Sequence, residues 1–159
     1  MSSEELLNQL RQHEKDAVLP AFNSDIAWQL GQIVRKNSLK FDKSVIISIT
    51  GPNGLVLFQT TTGPGVTLDN QSWVNRKRRA VTYFEQASYL TGRTFALNGK
   101  TMADFGQPTA DFATHGGGFP IRVKGLEGLA GVIVVSGLKQ EDDHALAYNS
   151  IIELLNSLK

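Results

Sequence analysis

The chain reads as an α+β fold with a mainly antiparallel sheet, and three observations carry that reading. Two pairs of β-rich runs, each joined by a short turn, indicate hairpins rather than crossover connections. Capped or amphipathic helical stretches lie before, between and after these pairs, without the strict alternation of a parallel βαβ series. The run Gly131-Val132-Ile133-Val134-Val135-Ser136 is β-branched and continuously apolar, as a buried strand is.

At 159 residues, one domain spanning 1–159 is the expectation, with residues 1–40 as its N-terminal helices. A hydrophobic fraction of 41% and a charged fraction of 19% are ordinary for a soluble globular chain. The net charge of +1 gives no electrostatic reason to expect nucleic acid or a membrane surface as partner. Cysteine is absent, which excludes disulfides, thiolate metal sites and a cysteine nucleophile. No apolar run approaches the roughly 20 residues that span a bilayer. The acidic, amphipathic start MSSEELLNQL is unlike a secretory leader, so a cytoplasmic location is the expectation.

Ser2 or Ser3 caps a first helix, with Glu4 and Glu5 near its positive end and Leu6, Leu7 and Leu10 as its apolar stripe. His13 follows three residues after Leu10 and reads as a surface or interface residue. A second helix starts at Ser24 or Asp25 and carries Ile26, Trp28, Leu30, Ile33 and Val34, with Arg35, Lys36 and Lys40 near its C-terminus. Val45 to Thr50 and Leu55 to Thr60 form a hairpin about Gly51-Pro52-Asn53-Gly54. The Thr60–Gly65 loop then serves as a connection or a ligand contact.

Asn70 is expected to cap a long helix running to about Leu90, stopped by Gly92. At about 100° per residue, Trp73, Ala80, Val81, Phe84, Ala87 and Ser88 share one broad face. Arg78 and Arg79 point away from that face and Arg76 lies at its edge, whereas Lys77 projects from its middle. A lysine there needs an acidic partner, an anionic ligand or a route to solvent. Residues 97–114 read as short helical turns in a long loop.

The most unusual stretch is Thr114-His115-Gly116-Gly117-Gly118-Phe119-Pro120-Ile121-Arg122-Val123. Three consecutive glycines cost backbone entropy, so they imply positive φ or a backbone in close contact with something. Strands follow at Phe119 to Lys124 and Ala130 to Ser136, turning at Gly125-Leu126-Glu127-Gly128. A last helix from Gln140 to Leu158 has three acids in its first turn. Its core stripe begins at His144, which either orients the Ser136-Gly137 turn from a partly buried position or contacts a ligand.

Several motifs fail. Gly99-Lys100-Thr101 lacks the glycine five residues upstream that a phosphate-binding loop requires, since Thr94 stands there. His115-Gly116-Gly117-Gly118 imitates an esterase oxyanion loop, but Ser136 has Val134 where the nucleophile elbow needs glycine. Three separated histidines give no zinc spacing. With no nucleophile or general-base constellation, an enzyme is the least supported class.

The ordered set GGGFPIRV, VSGL and EDDH, preceded by the SWVNRKRR helix, resembles the haem-degrading-domain family of the GlcG, HbpS and PduO C-terminal type. The resemblance runs from about Val45 to the C-terminus and is closest to that family's small stand-alone branch. It implies a profilin-like, three-layer α/β/α arrangement with about five strands, and a homo-oligomer built from dimers. The first helix and the basic face of the long helix are candidate interfaces. It also implies a small-ligand-binding protein, with haem or a related anionic tetrapyrrole as the ligand. Arg76 and Lys77 would pair with carboxylates beside Trp73, the bare backbone of Gly116, Gly117 and Gly118 would allow close approach, and Phe119 would pack on the ring. His115 is the best-placed axial ligand, ahead of Met102 and Tyr148, and His144 completes the candidate set. The alternative is a non-catalytic protein-interaction or chaperone-cofactor module, in which the same elements make subunit contacts.

Overall fold

A computed structural model describes residues 1–159. Its elements run α1 (Ser3–Asp16), β1 (Val18–Leu19), α2 (Ser24–Ser38), β2 (Ile46–Thr50), β3 (Val56–Thr61), α3 (Leu68–Phe84), α4 (Ser88–Asn98), β4 (Gly118–Val123), β5 (Gly131–Ser136) and α5 (Gln140–Ser157). Two short 3-10 turns, Met102–Phe105 and Thr109–Asp111, occupy the loop before β4, as its weak pattern suggested.

The sheet order is β1-β4-β5-β2-β3. Neighbours from β4 to β3 are antiparallel, while β1 runs parallel to β4 and makes the sheet mixed. The sequence reading has no strand at Val18–Leu19, because two residues carry no periodicity and the pairing with Arg122 and Val123 is purely long-range. Strands β2 and β5 are central and buried throughout, whereas β3 is an exposed edge.

Period-two alternation divides the sheet between two cores. Ile47, Ile49, Phe119, Ile121, Ile133 and Val135 join the larger one with residues of α1, α2 and α5. Ile46, Val132 and Val134 face the other way and pack on Val74 and Val81 of α3. The result is three layers, helix–sheet–helix. No helix is long and apolar enough to cross a membrane.

Helix α1 packs its apolar stripe into the larger core while its outer face is exposed. Leu7 and Leu10 are buried, and His13 Nδ1 lies 3.1 Å from His144 Nε2. His13 stacks on Tyr148, whose hydroxyl donates to Asp16 Oδ2 at 3.4 Å. Burial, and then the neighbouring His13, hold the His144 imidazole well below its ordinary value, at about 3.

The long helix differs from expectation at both ends. Thr67 is its N-cap, and Asn70 closes the capping box from the third position, its Oδ1 accepting from Thr67 N at 2.8 Å. The helix stops at Phe84 because Glu85 adopts a left-handed conformation, φ 54°, with its N–H on Val81 O. Distant groups hold this break: the Arg122 guanidinium donates to the Glu85 carbonyl, and Ala87 N donates to Glu14 Oε2 at 2.9 Å. A new helix, α4, then begins at Ser88.

Gly92 is therefore inside a helix rather than beyond one. A Cβ there would lie 1.9 Å from Thr114 O, so glycine is required for α4 to approach the segment that leads into the glycine loop. Gly92→Ala is expected to destabilise the fold by about 1–3 kcal/mol through overpacking. Thermal unfolding followed by circular dichroism should show a fall of several degrees, at about 2–4 °C per kcal/mol for a chain of this size. An unchanged midpoint would contradict the close-approach account.

Candidate functional site

One buried ion pair joins the elements that carry the sequence signals. Lys77 lies on the sheet-facing side of α3 and is 3% exposed; its Nζ sits 3.2 Å from Asp143 Oδ2 and donates to Val135 O at 3.4 Å. Asp143, in the first turn of α5, also accepts from Gly137 N at 3.2 Å and Leu138 N at 3.1 Å. Burial pulls the Lys77 amine down and pushes the Asp143 carboxyl up, and their mutual attraction opposes both shifts. Asp143, not His144, orients the turn after β5. The step of about 100° between consecutive helical residues aims His144 instead at α1.

The three glycines pack against protein. A Cβ on Gly116 would meet Gln140 O at 2.2 Å, one on Gly117 would meet Val135 O at 2.1 Å and Lys77 Nζ at 2.9 Å, and one on Gly118 would meet Val81 Cγ2 at 2.8 Å. Gly117 also has φ 133°, which other residues rarely adopt. Ser88 fastens the loop, donating to His115 O at 2.6 Å and accepting from Gly118 N at 3.0 Å. The bare backbone expected to meet a ligand is thus consumed by contact with β5, α3 and the start of α5.

Beside this loop lies a pocket of about 250 Å³. Trp73 and Lys77 of α3 form one wall and His115 another, while Ser136, Gly137, Leu138, Gln140 and Asp143 close it from the β5–α5 turn. Lys43 and Asn70 complete the lining. Trp73 meets the His115 ring edge-on at 5.2 Å, and the Arg76 guanidinium lies over the Trp73 ring at 4.1 Å. Partial burial, followed by the cations Lys77, Arg76 and Arg93, lowers the His115 imidazole below its usual range.

Of the residues singled out in sequence, Trp73, Lys77 and His115 come together around this cavity. Arg76 is spent on the Trp73 face. Phe119 is 1% exposed in the larger core, because alternation along β4 turns it to the opposite side of the sheet from α3, away from any ligand ring. His144 is buried among Phe119, Tyr89, His13 and Tyr148 and does not line the cavity. Met102 is 3% exposed, and Tyr148 stacks on His13, so neither stands among the residues around this pocket. Sequence reading missed Lys43, Gln140 and Asp143. The EDDH motif did flag Asp143, but as a helix-dipole acid rather than as the partner that Lys77 required.

Removing one half of a buried pair leaves the other charge uncompensated, a cost of about 3–5 kcal/mol. Lys77→Met is expected to lower the thermal midpoint by roughly 10 °C, at about 2–4 °C per kcal/mol. The double variant Lys77→Met with Asp143→Leu should recover part of that loss. A single variant as stable as the parent would remove the pair from its structural role.

Comparison with known proteins matches this architecture. A model of the family described as haem degrading protein, HbpS-like, matches residues 22–151. The UPF0303 protein Rleg2_2653 of Rhizobium leguminosarum bv. trifolii is 39% identical over 155 residues, covering 98% of this chain and 92% of that protein. The crystal structure of the Ybr137w protein superposes with a TM-score of 0.90 at 34% identity, over 96% of this chain and 90% of that one. The PduOC–haem complex shares the fold, with a TM-score of 0.69 at 19% identity over 86% of this chain and 96% of that one. The glycine loop, the tryptophan helix and the acidic start of α5 lie within the matched residues, and the chain belongs to the HbpS-like haem-degrading protein family.

Proposed function

We propose that this protein binds a small ligand at the pocket between α3, the glycine loop and the start of α5, and that haem is the first ligand to test. The observation that carries the reading is a polar cavity walled by Trp73, with a solvent-exposed His115 beside it, next to the buried Lys77–Asp143 pair. The haem complex of a structural relative supports the choice of ligand.

The cavity sets a limit on how haem would sit. Pockets that enclose drug-sized ligands measure about 300–1,000 Å³, and this one has about 250 Å³ with only Trp73 and Leu138 as apolar lining. A tetrapyrrole would lie across the mouth rather than inside. Its iron would supply the redox chemistry, and His115 would offer it an imidazole nitrogen while Trp73 flanks the ring. Haem titration of the purified protein should give a saturable, shifted Soret band that His115→Ala alters. A band identical in the variant, or uptake without saturation, would sink this assignment.

A second surface favours assembly, as the family resemblance implies. Trp28, Leu39, Leu55 and Val56 are 50–62% exposed on α2 and along the β2–β3 hairpin, and β3 is an unpaired edge. We propose that a contact between copies of the chain lies on this face rather than on α1, where Leu7 and Leu10 are already buried. Val56→Lys should halve the mass measured by light scattering while leaving the haem titration unchanged; an unaltered mass would place the contact elsewhere.

A further inference from the structure

The hydrogen-bonding inventory of the pocket is one-sided. Asn70 Oδ1 already accepts from Thr67 N at 2.8 Å, so its NH₂ is the unspent half of the amide. Gln140 Oε1 accepts from Gly116 N at 3.2 Å, which leaves its NH₂ unspent in the same way. Because backbone N–H groups are donors only, they fix which end of each amide is oxygen. Lys77 has used two of its three protons, on Asp143 and Val135 O. Lys43 makes no ion pair at all, since the two salt bridges of the protein are Lys77–Asp143 and Glu14–Arg122.

The one carboxylate of the lining is used up by contrast, and the His115 imidazole and Ser136 hydroxyl can donate as well as accept. Asp143 is the single acid in the lining, and its Oδ1 takes Leu138 N while its Oδ2 takes Gly137 N and the Lys77 ammonium. Four donors, two of them cationic, therefore surround the cavity with no free carboxylate to answer them. At roughly 30 Å³ per water, the space holds about eight waters, the bulk of a compact metabolite.

We propose that the pocket's own ligand is a free compact oxyanion, a small carboxylate or phosphate compound, held by Lys43, Lys77 and the amide NH₂ groups of Asn70 and Gln140. This rests on the reading that the pocket is the protein's binding site, and it makes haem at the mouth a separate occupant.

Two isosteric substitutions test it. Asn70→Asp and Gln140→Glu keep the oxygens that accept from Thr67 N and Gly116 N, remove the NH₂ donors, and put acids where the first turns of α3 and α5 favour them. Isothermal titration of the full chain with malonate and with inorganic phosphate, at low salt, should show one saturable site per chain. Each variant should weaken it at least tenfold with the thermal midpoint unchanged. Absence of saturable binding of both anions, or equal affinity in both variants, would overturn the proposal. Haem titrated into the same samples separates the two ideas. A His115-dependent Soret shift weakened by these variants, without small-anion binding, would make a haem propionate the oxyanion, sinking the free-ligand proposal and leaving the haem reading intact. Anion binding without a Soret shift would do the reverse. Failure of both would remove the pocket as a site.

Discussion

Lys77 and Asp143 sit where three pieces of the fold converge: the sheet-facing side of α3, the end of β5, and the first turn of α5. An ammonium and a carboxylate in such a place are strongly disfavoured apart, and they are tolerated together because each is also hydrogen-bonded to backbone groups. Asp143 receives two backbone N–H groups from the turn, and Lys77 reaches a strand carbonyl. The pair thus fixes how α5 leaves the sheet and how closely α3 may lie upon it. It acts less as a source of stability than as a constraint on geometry.

The glycine loop is shaped by the same constraint. Gly117 passes so close to Val135 O and Lys77 Nζ that no side chain fits, and Gly116 and Gly118 are hemmed in by Gln140 and Val81. Glycine is often taken as a sign of backbone offered to a ligand, but here the backbone is offered to the protein itself. What the loop provides to the cavity is His115, held at its edge because Ser88 grips the carbonyl before the glycines and the amide of the last of them.

The cavity shows how polar satisfaction can be read as a function. Caps and turns consume oxygen acceptors at Asn70, Gln140 and Asp143, and every group left over, including the His115 imidazole and the Ser136 hydroxyl, is able to donate. Each interaction has an ordinary structural purpose, yet their sum is a small space with a sign. Membership of the HbpS-like family supplies a candidate for the mouth of this space, while the interior follows from the donors alone.

Much of the fold was legible in the sequence. The strand pairs announce themselves by β-branched runs between turn residues, and α1, α2 and α5 by caps and apolar stripes, because these signals are local. Lys77 was legible as an anomaly, since a lysine amid an apolar helical face demands a partner, Trp73 by its place in the family motif, and His115 by its position in the glycine loop. Tertiary structure alone decided the rest. The partner of Lys77 is 66 residues away in sequence; the break at Glu85 is held by Arg122 and Glu14; and β1 exists only because β4 passes beside it. Phe119 and His144 turn into the larger core, away from the cavity, because local periodicity says which residues share a face, whereas which face meets which helix depends on how the layers stack. That choice is made by long-range packing, which no local pattern encodes.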